Sequence, residues 1–488
     1  MRLVSERALV MPLLRAALAS VSLLVQLCVS GCAVGPSYRK PETTLEKFHS
    51  AAAVETRPMS APAPALETWW DGFNDPMLSR IVQQARDQNL DLAAALARVQ
   101  QARAAAREAG AQLLPTIDLN AQATRIHESL QSPIGQIANY VAPGFNRNQS
   151  IYDVGLGAIW ELDLFGGLRR GREAASAEAD AAIAEQVGTR ISVTADAADA
   201  YLRIRGDQAR IAVAEQQVAT DERLLELVHQ RFSRGLAAVR EVAQAEALLS
   251  QARASLQPLN IDLEAQMNRL DVLLGVQPGT FAGELQTARD IPTVPSVSAS
   301  DEPLEVLRRR PDVIAAERRL AASNARIGQA LADYYPKISL AGLLGYESST
   351  PSDLFKAATF QPQGIAGLRW RVFDFGKVSA EVAQARGANA EALARYQQAV
   401  LRAAEEVENA FTSLVQLEVH QQELFTEVAA LKQARDASQE AYQGGVIALT
   451  DVLDADRQLL TAQDELAQTR ADSARAAVGT FRALGGGW

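Results

Sequence analysis

Thr116-Ile117-Asp118-Leu119-Asn120-Ala121-Gln122-Ala123-Thr124 alternates polar and apolar side chains without a miss. Period two puts every apolar residue on one face of a strand and every polar residue on the other. A second run sets Tyr152, Val154, Leu156, Ala158, Trp160, Leu162 and Leu164 against Asp153, Gly155, Gly157, Glu161 and Asp163, with Ile159 the exception. Further along, Ile338, Leu340, Leu344 and Tyr346 oppose Lys337, Ser339 and Glu347, and Ala366, Leu368, Trp370 and Val372 oppose Arg369 and Arg371. These runs predict strands at about 116–125, 150–164, 337–347 and 365–375. Each is about ten residues, the length a tilted strand needs to cross a bilayer. Trp160, Phe165, Trp370 and Phe375 close the second strand of each pair, where aromatics suit a membrane interface. Four strands cannot close a barrel, and open edges are not tolerated in lipid. Several copies must therefore share one; two would supply about eight strands and three about twelve.

The strands come in pairs because the chain repeats itself. Asp91 to Leu119 aligns without gaps onto Asp312 to Leu340, with identities at Asp91/Asp312, Arg98/Arg319, Ala104/Ala325, Pro115/Pro336, Ile117/Ile338 and Leu119/Leu340. The register resumes at Trp160-x4-Phe165-Gly166 on Trp370-x4-Phe375-Gly376, then at Gly235 on Gly445 and Leu274-Gly275 on Leu484-Gly485. About eleven extra residues sit between Pro115 and Trp160 and predict a longer loop in the first copy. Each copy reads helix, strand, loop, strand and two long helices.

Leu168 to Arg231 holds no proline, and Lys377 to Tyr442 is its counterpart. A continuous helix of that length spans on the order of 95 Å. Alanine and apolar positions recur at threes and fours, so closely packed, coiled-coil-like helices are expected. Gly235 and Gly445 end them in short apolar turns before a helix returns, which predicts helix-hairpin tips. Pro258 is expected to bend or break the first returning helix. The fold class is thus mixed and mainly α.

Composition narrows the function. The net charge of −10 argues against nucleic acid as the main partner. Two cysteines and four scattered histidines cannot build a disulfide framework or a metal cluster. His49, His127, His229 and His420 have no ligand spacing, and no nucleophile elbow or phosphate loop is present. No enzyme, cofactor or metal site is expected. Arg2, Arg7 and Arg15 precede an apolar run, Ala16 to Cys28, too short for a comfortable span. It predicts a signal segment over 1–31. Val29-Ser30-Gly31-Cys32 looks like the site where bacterial lipoproteins are acylated on cysteine, here Cys32, and Ala33 after it resembles the pattern sorted to the outer membrane. Cleavage there would lower the net charge to about −12. No other stretch suits a transmembrane helix, so any crossing must be made by strands.

Ordered motifs then carry a resemblance over nearly the whole chain. They are Cys32-Ala33-Val34-Gly35-Pro36-Ser37-Tyr38 with Pro41, Trp69-Trp70-x2-Phe73-x-Asp75, and Asn89-Leu90-Asp91-Leu92. Arg309-Arg310-Pro311-Asp312-Val313, Asp451-Val452-Leu453-Asp454-Ala455 and the ending Ala483-Leu484-Gly485-Gly486-Gly487-Trp488 follow. Together they resemble the TolC-like outer-membrane factors, most closely the NodT-type lipoproteins of multidrug efflux systems. The resemblance implies a homotrimer with a shared twelve-stranded barrel and a helical barrel through the periplasm. It also implies docking to a periplasmic adaptor and an inner-membrane pump, RND type. Asp451 and Asp454 match the aspartates that line the family's periplasmic gate, and trimer symmetry would make them two carboxylate rings. The competing reading is that an aspartate in a first helical turn simply stabilises the helix. An arginine that locks the gate in some members corresponds to Ile447, so closure is expected to rest on other contacts, such as Tyr442 packing. Arg234, Gly235, Leu236, Gly445 and Val446 would meet the adaptor.

The expected organisation is a signal segment at 1–31, a lipid-anchored segment at 32–67, and a first repeat at 68–275 with its tip at about 232–238. A linker at 276–308 leads to a second repeat at 309–488 with its tip at about 442–448. The expected function is small-molecule export through an outer-membrane duct. Metal-ion efflux, type I protein secretion and a non-channel coiled-coil scaffold are the alternatives.

Overall fold

A computed structural model describes residues 33–42, 45–57, 62–141, 146–298 and 303–488. The signal segment and Cys32 lie outside the described residues. The chain divides into two compact units. One comprises the described part of Met1–Lys40 with Gln101–Asp180 and Arg318–Ala394; the other comprises Pro41–Gln100, Ala181–Glu317 and Arg395–Trp488.

In chain order the helices are α1 (Ala51–Glu55), α2 (Pro76–Gln88), α3 (Leu90–Ala111), α4 (Pro133–Val141), α5 (Gly167–Ser233), α6 (Val239–Leu273), α7 (Ala282–Leu285), α8 (Pro303–Arg309), α9 (Pro311–Ala332), α10 (Lys377–Gln443) and α11 (Leu449–Ala483). The strands are β1 (Thr116–His127), β2 (Asn148–Leu162), β3 (Lys337–Ser348) and β4 (Phe360–Arg369). The long helices α5 and α10 are 67 residues each, and their returning partners α6 and α11 are 35 each. Helix α6 continues through Pro258 without ending there. No helix among the described residues is long and apolar enough to cross a membrane.

The sheet lies in the first unit, in the order β1-β2-β3-β4, every pair antiparallel. Its register collects the alternating residues across all four strands. Leu119 faces Leu156, which faces Leu344, which faces Pro362; Val154 likewise lines up with Tyr346 and Phe360. One side is therefore apolar from the Leu162 row to the Val154 row, with Arg125, Ser150, His127 and Asn148 beyond it. The other carries Asp118, Asn120, Gln122, Asp153 and Glu347, interrupted by the row of Ile159, Ala341 and Ile365 and by Leu343, Ile151 and Ile126. Ile117, Leu119, Leu344 and Leu368 are each more than 60% exposed (66%, 71%, 61% and 68%). This chain does not cover its own apolar face, as a half-buried sheet on a soluble domain would.

Two local expectations need correction. The fourth strand, expected at 365–375, starts at Phe360 and ends at Arg369. Beyond it Trp370 Nε1 donates to Tyr334 O at 3.0 Å, and the Asp374 carboxylate accepts from Gly376 N and Val378 N. Residues 370–376 are thus committed to turning the chain into α10, and Val372 is not in the sheet. In the first copy the extra loop contains helix α4. Ser132 caps it by accepting from Gly135 N at 3.0 Å, Pro133 suits the first helical position, and Ile134, Ile137 and Val141 fall at helical spacing.

Two indole bonds pin strands to the turns that precede the sheet. Trp160 Nε1 donates to Leu113 O at 2.9 Å, as Trp370 does to Tyr334 O. Both partners are residues that the self-comparison superposes. Phe165 stacks on Tyr335 at 4.6 Å, while Phe375 is 91% exposed and meets Phe373 edge-on. The segment after Cys32 is tied to the same unit: Val34 N donates to Phe165 O, and Arg170 donates to Val34 O and Gly35 O. Gly35 comes so close to Gly328 that a Cβ on it would lie 2.5 Å from the Gly328 Cα.

The core of the second unit is where most of the quoted motifs converge. Trp69 is fully buried, stacked on Phe481 at 5.4 Å, with Trp70 and Phe73 against its edges. Asp75 caps α2 by accepting from Met77 N and Leu78 N, and its other oxygen accepts from Tyr201 O–H at 2.6 Å. Asn89 caps α3 and donates to Leu273 O. Arg310 binds Asp312, Glu406 and Ala483 O, while Gly487 N donates to Leu66 O. Ala197, Ala198, Ala200, Ala474 and Ala477 are fully buried; their small side chains let the long helices approach closely.

Candidate functional site

Both helix-hairpin tips end in the same backbone geometry. Gly235 has φ 71° and Gly445 φ 73°, the left-handed region that glycine occupies freely. Gly235 N donates to Phe232 O and Leu236 N to Arg231 O; Gly445 N donates to Tyr442 O and Val446 N to Ala441 O. These paired bonds satisfy the last carbonyls of α5 and α10. The glycine then turns the next apolar side chain outward. Leu236 is 64% and Val446 79% exposed, and Arg234 is exposed beside them. The five residues expected at the adaptor therefore lie on two similar, open turns.

Behind the turns the tips share one apolar cluster. Leu224 and Val228 of α5, Ala245 of α6, Tyr442 of α10, and Leu449 and Val452 of α11 are buried together, with Ile447 packed against them. Ile447 thus fills a packing position where a charge could not sit without a partner. Tyr442 is 2% exposed. The Arg231 guanidinium lies 4.6 Å from its ring centre and donates to its carbonyl at 3.1 Å. The Tyr442 hydroxyl meets a Glu241 carboxylate oxygen at 3.3 Å. Burial, then the Glu241 charge, raise the Tyr442 pKa, so this phenol stays protonated and can donate. Arg231 lies at the end of the first long helix and Glu241 stands where the second copy has Asp451; the two clamp Tyr442 from the opposite tip.

Asp451 and Asp454 are exposed on the first turn and a half of α11. The Asp451 carboxylate accepts from Ala448 N at 3.3 Å, as Glu241 accepts from Ala238 N in the first tip. Asp454 pairs with Arg457 at 3.0 Å. The helix-capping role of Asp451 is therefore present within one chain, and its geometry leaves the carboxylate on the surface. Tyr442, by contrast, is held in the cluster rather than beside the two aspartates.

Comparison with known proteins identifies the family. The family model described as outer membrane efflux protein matches residues 81–276 and 303–486. The pyoverdine export outer membrane protein OpmQ of Pseudomonas putida is 31% identical over 433 residues, 88% of this chain and 91% of that one. Nodulation protein T of Rhizobium leguminosarum bv. viciae is 30% identical, covering 91% of this chain and 88% of its own. Among solved structures, the outer-membrane channel OprN superposes with a TM-score of 0.85 at 34% identity, covering 94% of this chain and all of that one. The open state of the Neisseria gonorrhoeae MtrE outer membrane channel superposes at 0.78 with 28% identity, covering 93% and 98%. The chain belongs to the outer membrane efflux protein family: it is an outer-membrane efflux channel with the TolC-like fold, a transport protein and not an enzyme.

Proposed function

We propose that this chain is the outer-membrane component of a tripartite efflux system that exports small organic molecules such as drugs. One observation carries the reading. A sheet of four strands exposes a continuous apolar face and ends in two open edges, β1 and β4. In lipid those edges must be paired, and a ring of copies pairs each β4 with the next β1. Three copies give a barrel of about twelve strands. The helices extend the same ring into a periplasmic duct that meets an adaptor and an inner-membrane pump of the RND type. Cys32 carries the lipid that anchors it, and Trp160, Phe165, Trp370 and Phe375 sit at the membrane interface. Relatives named for export of pyoverdine and of toluene support small organic cargo over metal ions or secreted proteins.

The tips are the control point. Arg234, Gly235, Leu236, Gly445 and Val446 dock the adaptor. In the closed ring, Asp451 and Asp454 of each copy face the axis as two rings of carboxylates. Like charges in a narrow pore attract cations and repel one another, while the Tyr442 clamp holds the tips together. Planar-bilayer recording tests this. Replacing both residues, Asp451→Ala with Asp454→Ala, should lower cation selectivity by severalfold while conduction persists. Unchanged selectivity would sink the gate.

A further inference from the structure

One helical turn behind the shared tip cluster, two acids interrupt an otherwise apolar seam. Asp221 of α5 is 1% exposed and Asp456 of α11 is 3% exposed. Gln217 Nε2 donates to Asp221 Oδ1 at 2.9 Å, and Asp221 Oδ2 has no hydrogen-bond partner. From α10, Arg435 reaches Asp456 with Nη1 at 3.7 Å and Asp436 with Nε at 2.9 Å. The Asp456 charge acts on Asp221, and those of Arg435 and Asp436 act on Asp456. Helix α6 sets its nearby charge elsewhere, pairing Arg253 with Glu222 on the exposed side of α5. Asp454 and Arg457 also pair with each other, both of them exposed.

A buried carboxylate oxygen without a donor is costly unless it carries the donor itself. Two carboxylates buried in one low-dielectric seam cannot both ionise cheaply. Burial first, and then the Asp456 charge, push Asp221 up to about 7; burial and Asp436 raise Asp456, against the pull of Arg435.

We propose that Asp221 and Asp456 form a proton-binding site between α5 and α11, and that losing its proton separates these helices and loosens the tips. With the proton in place, Asp221 is neutral and only one negative charge is buried. As pH rises through neutrality the proton leaves to solvent and a second charge appears in the seam. Repulsion and desolvation then act against the packing of Leu224, Val228 and Val452. The folded state binds this proton more tightly than the unfolded chain, so stability falls as pH climbs from about 4 to about 7. The effect on conduction, though not the site itself, rests on the reading of the tips as the gate.

The test uses the full-length channel in lipid, with Asp221→Asn as the near-isosteric stand-in for the protonated acid and Asp456→Asn as the second variant. Infrared spectra should show a protonated-carboxyl band that titrates near neutrality and disappears in Asp221→Asn. Spin labels on Val446→Cys should move apart between pH about 6 and about 8 in the parent, and keep the acid-form separation in Asp221→Asn. Absence of the band, or equal label movement in parent and variants, overturns the proposal. Label movement without any change in conductance upholds the site and removes the tips as the gate.

Discussion

Tyr201 shows how one side chain joins two structural tasks. Its hydroxyl donates to Asp75 at 2.6 Å, and the same carboxylate caps α2. Burial first, then that hydrogen bond, push its pKa up to about 12, so the donor is never lost in the physiological range. Tyr201→Phe keeps the ring in the core and removes only this bond. It should destabilise the detergent-solubilised channel by about 1 kcal/mol, read as an earlier thermal transition. An unchanged transition would mean that the cap holds without it. At this scale the sequence was partly legible. Trp69, Asp75, Asn89 and Arg310 stood out as motif residues, and their burial and bonds now give a physical reason for each. Asp221 and Asp456 did not stand out. They occupy inward positions in the series Gln217-Asp221-Leu224-Val228 and Val452-Asp456-Leu459, a signal overlooked because aspartates are common all along these helices.

The elements were more legible than the residues. Alternation located β1, and also β2 and β3 despite breaks at Ile159 and Leu343, and the absence of proline foretold α5 and α10. Periodicity failed at β4 because Trp370 and Val372 continue the apolar pattern after the chain has left the sheet. There the Asp374 cap and the bond from Trp370 to Tyr334 outweigh strand propensity. The hairpin tips obey a simpler rule, since glycine at positive φ fixes where each long helix must stop. That geometry leaves Leu236 and Val446 64% and 79% exposed, free for a partner. Leu236→Asp should abolish cross-linking to the adaptor while the assembled channel survives, because that side chain is largely exposed. Retained cross-linking would remove this tip from the docking surface.

For the molecule as a whole, the decisive fact is a sheet that is complete in register and incomplete in closure. The sequence alone allowed two copies or three, because strand length and alternation carry no information about curvature. Three copies are expected to appear as the dominant species when the channel is released from lipid into detergent and weighed by native mass spectrometry. A dominant dimer would refute the twelve-stranded barrel. Heating should collapse the complex to single chains, since the edges hold it by hydrogen bonds and packing rather than by covalent links.

The two unpaired edges also have a genetic side. In the proposed ring each copy contributes one β1 edge and one β4 edge, and every seam would need one of each. A chain that folds its helices but carries a broken β4 would still offer a sound β1. It would be admitted to a growing ring and then leave it unsealed. Such an allele would poison the normal copies made beside it, whereas a deletion of the same gene would merely lower their number.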